Sequence, residues 1–421
     1  MKVVIHIILL FSLLVMSQSV TAQSKARFPK PEFDSGYVQP NPTTPEPRAL
    51  AMDYLDVVVL LLVLALATYL VLRRRSRGGV LLLSIFSLIY FGFFRNGCIC
   101  SIGAIQNVAL SLFDPSYSIS LVALLFFIIP LLFSLFFGRV FCAGACPLGA
   151  IQDLLILKPI EVPVWLRKGL GLIPFLYLGL AVLFAATKTD FIICRWDPYV
   201  GIFRMDARFV MVVLGIAMLL IGMFVARPYC RFLCPYGVLL NWTSRFSKWH
   251  MTITPSSCIN CKLCEKSCPF DAINIPQEEV ATRDRQKDLR KFLIYLVLIP
   301  ILGGLGAFAG LKSHVFLSKA NPDVYLAELL ISQPELKADP DNIDIQTFLS
   351  AGKSMDTLVE EAEVIRNQFK TGSWILGAFM GIVIAFSLMD QTIYRRREDY
   401  HPNKGNCYSC ARCMDYCPVP K

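Results

Sequence analysis

Fifteen cysteines stand in this 421-residue chain, and eight of them fall in two runs of identical spacing. The runs are Cys258-x2-Cys261-x2-Cys264-x3-Cys268-Pro269 and Cys407-x2-Cys410-x2-Cys413-x3-Cys417-Pro418. Such short steps let three thiolates wrap one iron–sulfur cube, while the proline turns the fourth toward a second cube. The pattern assigns Cys258, Cys261, Cys264 and Cys417 to one 4Fe–4S cluster, and Cys407, Cys410, Cys413 and Cys268 to another. Zinc knuckles are the competing reading of a single Cys-x2-Cys. Two complete four-cysteine runs ending in proline favour iron and sulfide.

The other seven cysteines form two groups. Cys142, Cys146, Cys230 and Cys234 make two Cys-x3-Cys-Pro motifs. Proline there suits the first turn of a helix, and a thiol at that point feels the helix dipole and ionises readily. These four could hold a further iron–sulfur centre or a soft metal ion, or be packed, inert thiols. Cys98, Cys100 and Cys194 could form a metal site, or a disulfide with one thiol left over. The four histidines, His6, His250, His314 and His401, lie outside the mature spans described below, which argues against a bis-histidine haem.

The elements that must position these residues cross a membrane. The chain is 55% hydrophobic and 17% charged, where a soluble protein carries about a quarter charged residues. Its formal charge of +10 sits in short clusters beside apolar runs. That pattern fits topology signals and lipid headgroups rather than nucleic acid. Residues 1–22 read as a signal peptide ending Val20-Thr21-Ala22, and 23–52 as a polar, Pro-rich extracytoplasmic linker. Seven spans are expected, at 53–72, 80–97, 119–137, 169–187, 208–226, 292–311 and 373–391. The basic clusters Arg73–Arg77, Arg139–Lys168, Arg227–Lys291 and Arg395–Arg397 then share one face. By the positive-inside rule that face is the cytoplasm of a bacterial inner membrane, with the C-terminus inside.

The expected architecture is an all-α polytopic membrane protein with a cytoplasmic ferredoxin domain of bacterial type, built from two separated segments. Residues 53–250 form a five-span domain, 251–290 the first ferredoxin half, and 395–421 the second. Between the halves come a span at 291–311, an extracytoplasmic loop at 312–372 that is helical near Ser354–Phe369, and a span at 373–394. An internal repeat runs through the five-span domain. Cys100-Ser-Ile-Gly-Ala-Ile-Gln-Asn107 returns as Cys146-Pro-Leu-Gly-Ala-Ile-Gln-Asp153, and Phe141-Cys142-x3-Cys146-Pro-x-Gly149 returns as Tyr229-Cys230-x3-Cys234-Pro-x-Gly237. Duplicated helical hairpins around a central site are a known membrane plan. Asp56 is the one carboxylate read near a span interior, which speaks against an ion pump.

With its two Cys-x3-Cys-Pro motifs, its two ferredoxin runs and the stretch Leu358–Gly377, the chain from Asp53 to Lys421 resembles the membrane polyferredoxin part of NosR-type proteins, with NirI and NapH as relatives. The resemblance implies electron transfer across the inner membrane, from quinol or a cytoplasmic donor toward an extracytoplasmic flavin, in support of nitrous oxide reductase and denitrification. The family's large flavin-binding domain has no counterpart in the short stretch before Asp53. Flavin is therefore expected only through a separate extracytoplasmic flavin-binding or reductase partner, with lipid and quinone as further partners.

The function expected is an iron–sulfur electron-transfer component, of a quinol dehydrogenase-like complex if an enzyme at all. The alternative is a copper-handling or redox-sensing regulator. No general acid, nucleophile or phosphate loop points to turnover of a small molecule.

Overall fold

The computed structural model describes residues 49–97, 100–205, 208–253, 258–259, 261–276, 285–333, 342–350, 352, 354–390 and 400–418. The signal peptide, most of the linker, Cys98 and the arginines 395–397 lie outside the described residues. The chain divides into two compact units. One contains Pro322–Glu363, with helices Pro322–Ser332 and Ile343–Ser350 that bury Val324, Ala327, Leu330 and Ile345. The other contains Pro47–Asn321 and Val364–Lys421, and it holds every described cysteine.

Among the described residues, five helices are long and apolar enough to cross a membrane: Ala51–Leu72, Arg77–Phe94, Val164–Ala186, Leu289–Ser318 and Met355–Met389. A sixth crossing results if Pro198–Arg204 and Phe209–Gly222, bent by 110°, count as one span. Seven spans are expected from the sequence, so the count among the described residues is lower. Leu121–Phe137 is strongly apolar but only 17 residues long. Gly138, at φ 74°, ends it in a left-handed turn open to glycine. The expected fifth span shortens to Phe209–Gly222 because Pro228 starts a new helix soon after. The helix expected near Ser354–Phe369 exists, and it continues without a break to Met389.

The two long C-terminal helices meet through small residues. Gly306 and Gly310 face Ser373, Gly377 and Gly381 so closely that a Cβ on any of the four glycines would overlap the other helix's backbone. Small residues every fourth position let backbones approach where lipid gives no hydrophobic drive. Each of these helices is followed or preceded in sequence by one ferredoxin segment. Those segments pair as a two-stranded antiparallel ladder, Ile273 opposite Pro402 and Asn274 opposite His401. Asn403 N–H extends it by donating to Ala272 O at 2.7 Å. The molecule is thus helical apart from this short ladder, among the described residues.

Some buried charges inside the helical unit are paired. Asp56, fully buried, accepts from Tyr90 Oη at 2.7 Å and pairs with Arg95 at 2.8 Å. Asp153 and Asp197 are also buried, at 5% and 3% exposure.

Candidate iron–sulfur and thiolate sites

The two ferredoxin segments repeat each other in backbone as well as in spacing. Lys262 and Ala411, each directly after a second cysteine, take left-handed conformations at φ 61° and 58°. Each caps a short helix that carries the third cysteine, Leu263–Ser267 with Cys264 and Arg412–Asp415 with Cys413. Non-glycine residues adopt such a φ at a cost in strain, and both segments carry it at the same place in the spacing. Cys264 lies within electrostatic reach of Cys258 and Cys261. Cys268 lies within reach of Cys407, Cys410 and Cys413, across the segment boundary. Burial pushes the Cys407 thiol up to about 12, and Cys410 and Cys268 beside it add to the rise. Buried, crowded thiols of this kind ionise when a cationic iron centre takes up their charge.

The Cys-x3-Cys-Pro motifs come together in one place, deep in the helical unit. Cys142, Cys146, Cys230 and Cys234 are each less than a tenth exposed. Cys234 is within electrostatic reach of Cys230, Cys146 and Cys142. Local structure explains the positions. Pro147 and Pro235 open helices Pro147–Leu154 and Pro235–Arg245, so Cys146 and Cys234 are their N-caps. Cys234 Sγ accepts the Gly237 N–H at 3.3 Å. Cys142 lies in a π-helical turn, Phe141–Ala145, where a wider turn displaces the thiol from the regular helix face.

Two arginines cross between the repeats. Arg227, from the second, donates to Cys142 O at 2.7 Å and lies over Gly149 of the first. Arg139, from the first, lies over Gly237 of the second. A Cβ at Gly149 would crowd Cys142 O at 3.0 Å and meet Arg227 Nη1 at 3.4 Å, and one at Gly237 would sit in contact with Arg139 Nη2 at 3.4 Å. Arg227 pairs with Asp153, which also pairs with Arg77, whereas Arg139 pairs with no described acid. Three of their buried N–H positions, Arg139 Nε and Arg227 Nε and Nη2, find no hydrogen-bond partner among the described residues. Two guanidiniums with spare donors beside four thiols suit an anionic centre. A 4Fe–4S cube with four thiolates, doubly negative when oxidised, meets that requirement. Among the described residues no three His, Cys, Asp or Glu side chains stand in closed ligand geometry, so ligation here also requires thiol rotation.

The ferredoxin segments dock on this four-thiol site. Tyr408 Oη donates to Cys230 O at 3.0 Å, and Arg139 stacks on the Tyr408 ring at 4.2 Å. Phe270, from the other segment, packs on Tyr408 with centroids 4.8 Å apart. Arg139 donates to Gly405 O, Arg77 to Cys410 O and Arg231 to Pro269 O. Arg167 and Arg231 both pair with Asp271. Arg77, Arg139, Arg167 and Arg231, from three of the basic clusters, thus contact the ferredoxin segments.

Of the third cysteine group, Cys100 and Cys194 are described, and they too lie within electrostatic reach of each other. Both line a cavity of about 230 Å³. Sequence reasoning missed Arg139, Arg227, Gln106, Gln152 and Asp197. An arginine three residues before each Cys-x3-Cys-Pro, and a glutamine six after Cys100 and Cys146, were the signals available.

A model described as a 4Fe-4S binding domain matches residues 119–173 and 207–254, the stretches with Cys142/Cys146 and Cys230/Cys234. Another 4Fe-4S binding domain model matches 251–274, with Cys258 through Cys268. An uncharacterised protein of Methanocaldococcus jannaschii is 28% identical over 193 residues, 43% of this chain and 77% of its own. NirI of Paracoccus denitrificans is 31% identical over 221 residues, 48% of this chain and 32% of NirI. The regulatory protein NosR of Stutzerimonas stutzeri is 26% identical over 219 residues, 48% of this chain and 30% of NosR. No solved structure matches. The chain is a distant homologue of these polyferredoxins, and it carries 4Fe–4S binding domains with clustered cysteines.

Proposed function

We propose that this distant homologue of NosR and NirI is a transmembrane electron conduit, in which the ferredoxin segments exchange electrons with the four-thiol site and that site serves an acceptor on the opposite face. The observation that carries this is the docking of Tyr408 and Phe270 against Cys230, Arg139 and Arg227. Electron tunnelling falls off exponentially with distance, and the hydrocarbon is about 30 Å thick. Clusters on one surface therefore need an intermediate within the helices. Bound clusters would supply one-electron chemistry at low potential. The chain's own part is to hold them in register, exclude water and balance their charge with Arg139 and Arg227.

The orientation follows from the same reading. Arg77, Arg139, Arg167 and Arg231 hold the ferredoxin domain on the positive, cytoplasmic face of the inner membrane. Counting Leu121–Phe137 and Phe209–Gly222 as full crossings gives seven spans, with the C-terminus inside. Quinol or a cytoplasmic reductant feeds the clusters. A separate flavin-binding or reductase partner outside takes the electrons, and support of nitrous oxide reductase is the setting this implies.

The full chain in sealed liposomes, ferredoxin domain outward, tests the reading. Dithionite added outside should reduce an encapsulated flavin. Cys142→Ser with Cys230→Ser should stop that transfer and leave the signals of the two ferredoxin clusters. Undiminished flavin reduction in that variant would sink the proposal.

A further inference from the structure

The outer cysteines repeat the inner site more closely than their spacing suggests. Gln152 Oε1 accepts the backbone N–H of Tyr229, the residue before Cys230, at 3.1 Å. Gln106, its equivalent in the repeat, accepts the N–H of Ile193, the residue before Cys194, at 3.0 Å. Cys146 is turned toward the Gly149 amide and Cys100 toward that of Gly103, each three residues on. Cys234 caps a helix that begins Pro235-Tyr236, and Asp197 caps one that begins Pro198-Tyr199. Both tyrosines are fully buried. Cys100, Cys194 and Asp197 thus stand where Cys146, Cys230 and Cys234 stand in the inner site. A Cβ at Gly103 would come within 3.3 Å of Cys194 Sγ, so glycine leaves the second thiol room beside the turn of the first.

Two further observations point to something bound there. Gln152 Nε2 donates to Leu148 O at 2.8 Å and to Cys230 Sγ at 3.5 Å. Gln106 Nε2, fully buried, has no partner among the described residues. Its amide is anchored beside Cys194, where its twin donates to a thiol. Asp197, also buried, is answered by neutral donors in the bonds described: Tyr229 Oη and the N–H groups of Tyr199 and Val200. A buried carboxylate without a cation is costly.

We propose that Cys100 and Cys194 bind a thiophilic metal cation at the cavity, with Asp197 adding to the negative field that draws the cation in and Gln106 Nε2 donating to the Cys194 thiolate. The cavity wall also carries Asp53, Asn107, Ser120 and Arg204. Thiolate ligands select soft and borderline cations. Two thiolates facing an open cavity leave coordination positions free, as in exchangeable rather than structural sites. Cys194 is exposed and closes the site by rotating onto Cys100, within reach of Cys146 behind it.

Cadmium is the probe. In the purified full chain with its iron retained, one Cd²⁺ should slow maleimide labelling of Cys194 at least about tenfold without releasing iron. Cys100→Ser should abolish that protection, and Asp197→Asn should weaken it. Metal analysis should find one cadmium fewer in Cys100→Ser with Cys194→Ser, at unchanged iron content. Unaltered labelling of the wild-type chain by cadmium would overturn the site, needing no variant to fold. Full cadmium binding by the double variant, or a Cys100–Cys194 disulfide that blocks loading, would also overturn it. Iron content and flavin reduction report on the inner site separately.

Discussion

Tyr408 Oη reaches the carbonyl of Cys230 at 3.0 Å, tying a residue beside one ferredoxin cysteine to a cysteine of the four-thiol site. The bond is buried, and the ring is held between Arg139 and Phe270. Tyr408→Phe leaves a buried carbonyl without its donor, which costs about 1–2 kcal/mol. It should lower the thermal midpoint of the iron-loaded protein. It should also slow electron exchange between the ferredoxin clusters and the inner site, followed by freeze-quench EPR. An unchanged rate would show that this contact is structural only.

Charge balance at the inner site gives a second test. Arg139→Gln removes a buried cation that pairs with no described acid, and so favours the less negative, oxidised state of the centre. The midpoint potential of the inner centre should fall by tens of millivolts in potentiometric EPR, with Arg139→Lys restoring part of the shift. The two ferredoxin clusters should move less.

Exchange of the fourth ligand between segments makes a third. Cys268 lies within electrostatic reach of Cys407, Cys410 and Cys413, across the segment boundary. Cys268→Ala should perturb the same EPR signal as Cys410→Ala. Cys261→Ala should perturb the other. If Cys268→Ala and Cys261→Ala affect one signal together, the assignment fails.

The last pair of long helices offers a test away from any ligand. Gly377→Leu places a side chain into the backbone of the facing helix at Gly306. Overpacking of a tight contact costs about 1–3 kcal/mol, and here it pushes apart the helices adjoining the two ferredoxin segments. Iron content should fall although every cysteine remains.

How much of this was legible beforehand depended on whether the information was local. Ligand spacing in the ferredoxin runs, the first-turn prolines after Cys146 and Cys234 and the apolar runs are short-range features, governed by backbone geometry and lipid solubility, so the linear chain determined them. Span lengths were less legible, because the fifth span, expected to run to 226, stops at Gly222, with Pro228 opening a new helix soon after.

What only the tertiary structure decided is how the fourteen described cysteines relate in space. Spacing showed that Cys142–Cys146 and Cys230–Cys234 are copies, but not that Arg139 and Arg227 cross between the copies. It placed eight cysteines in a ferredoxin domain, but not Tyr408 against Cys230. It left Cys100 and Cys194 between a metal site and a disulfide, whereas Gln106 and Asp197 set them in a second copy of the inner arrangement. The reason is physical: each of these contacts joins residues far apart in the chain. Such contacts form because buried charges and amides must find partners, and where those partners lie is decided by helix packing rather than by neighbours in sequence.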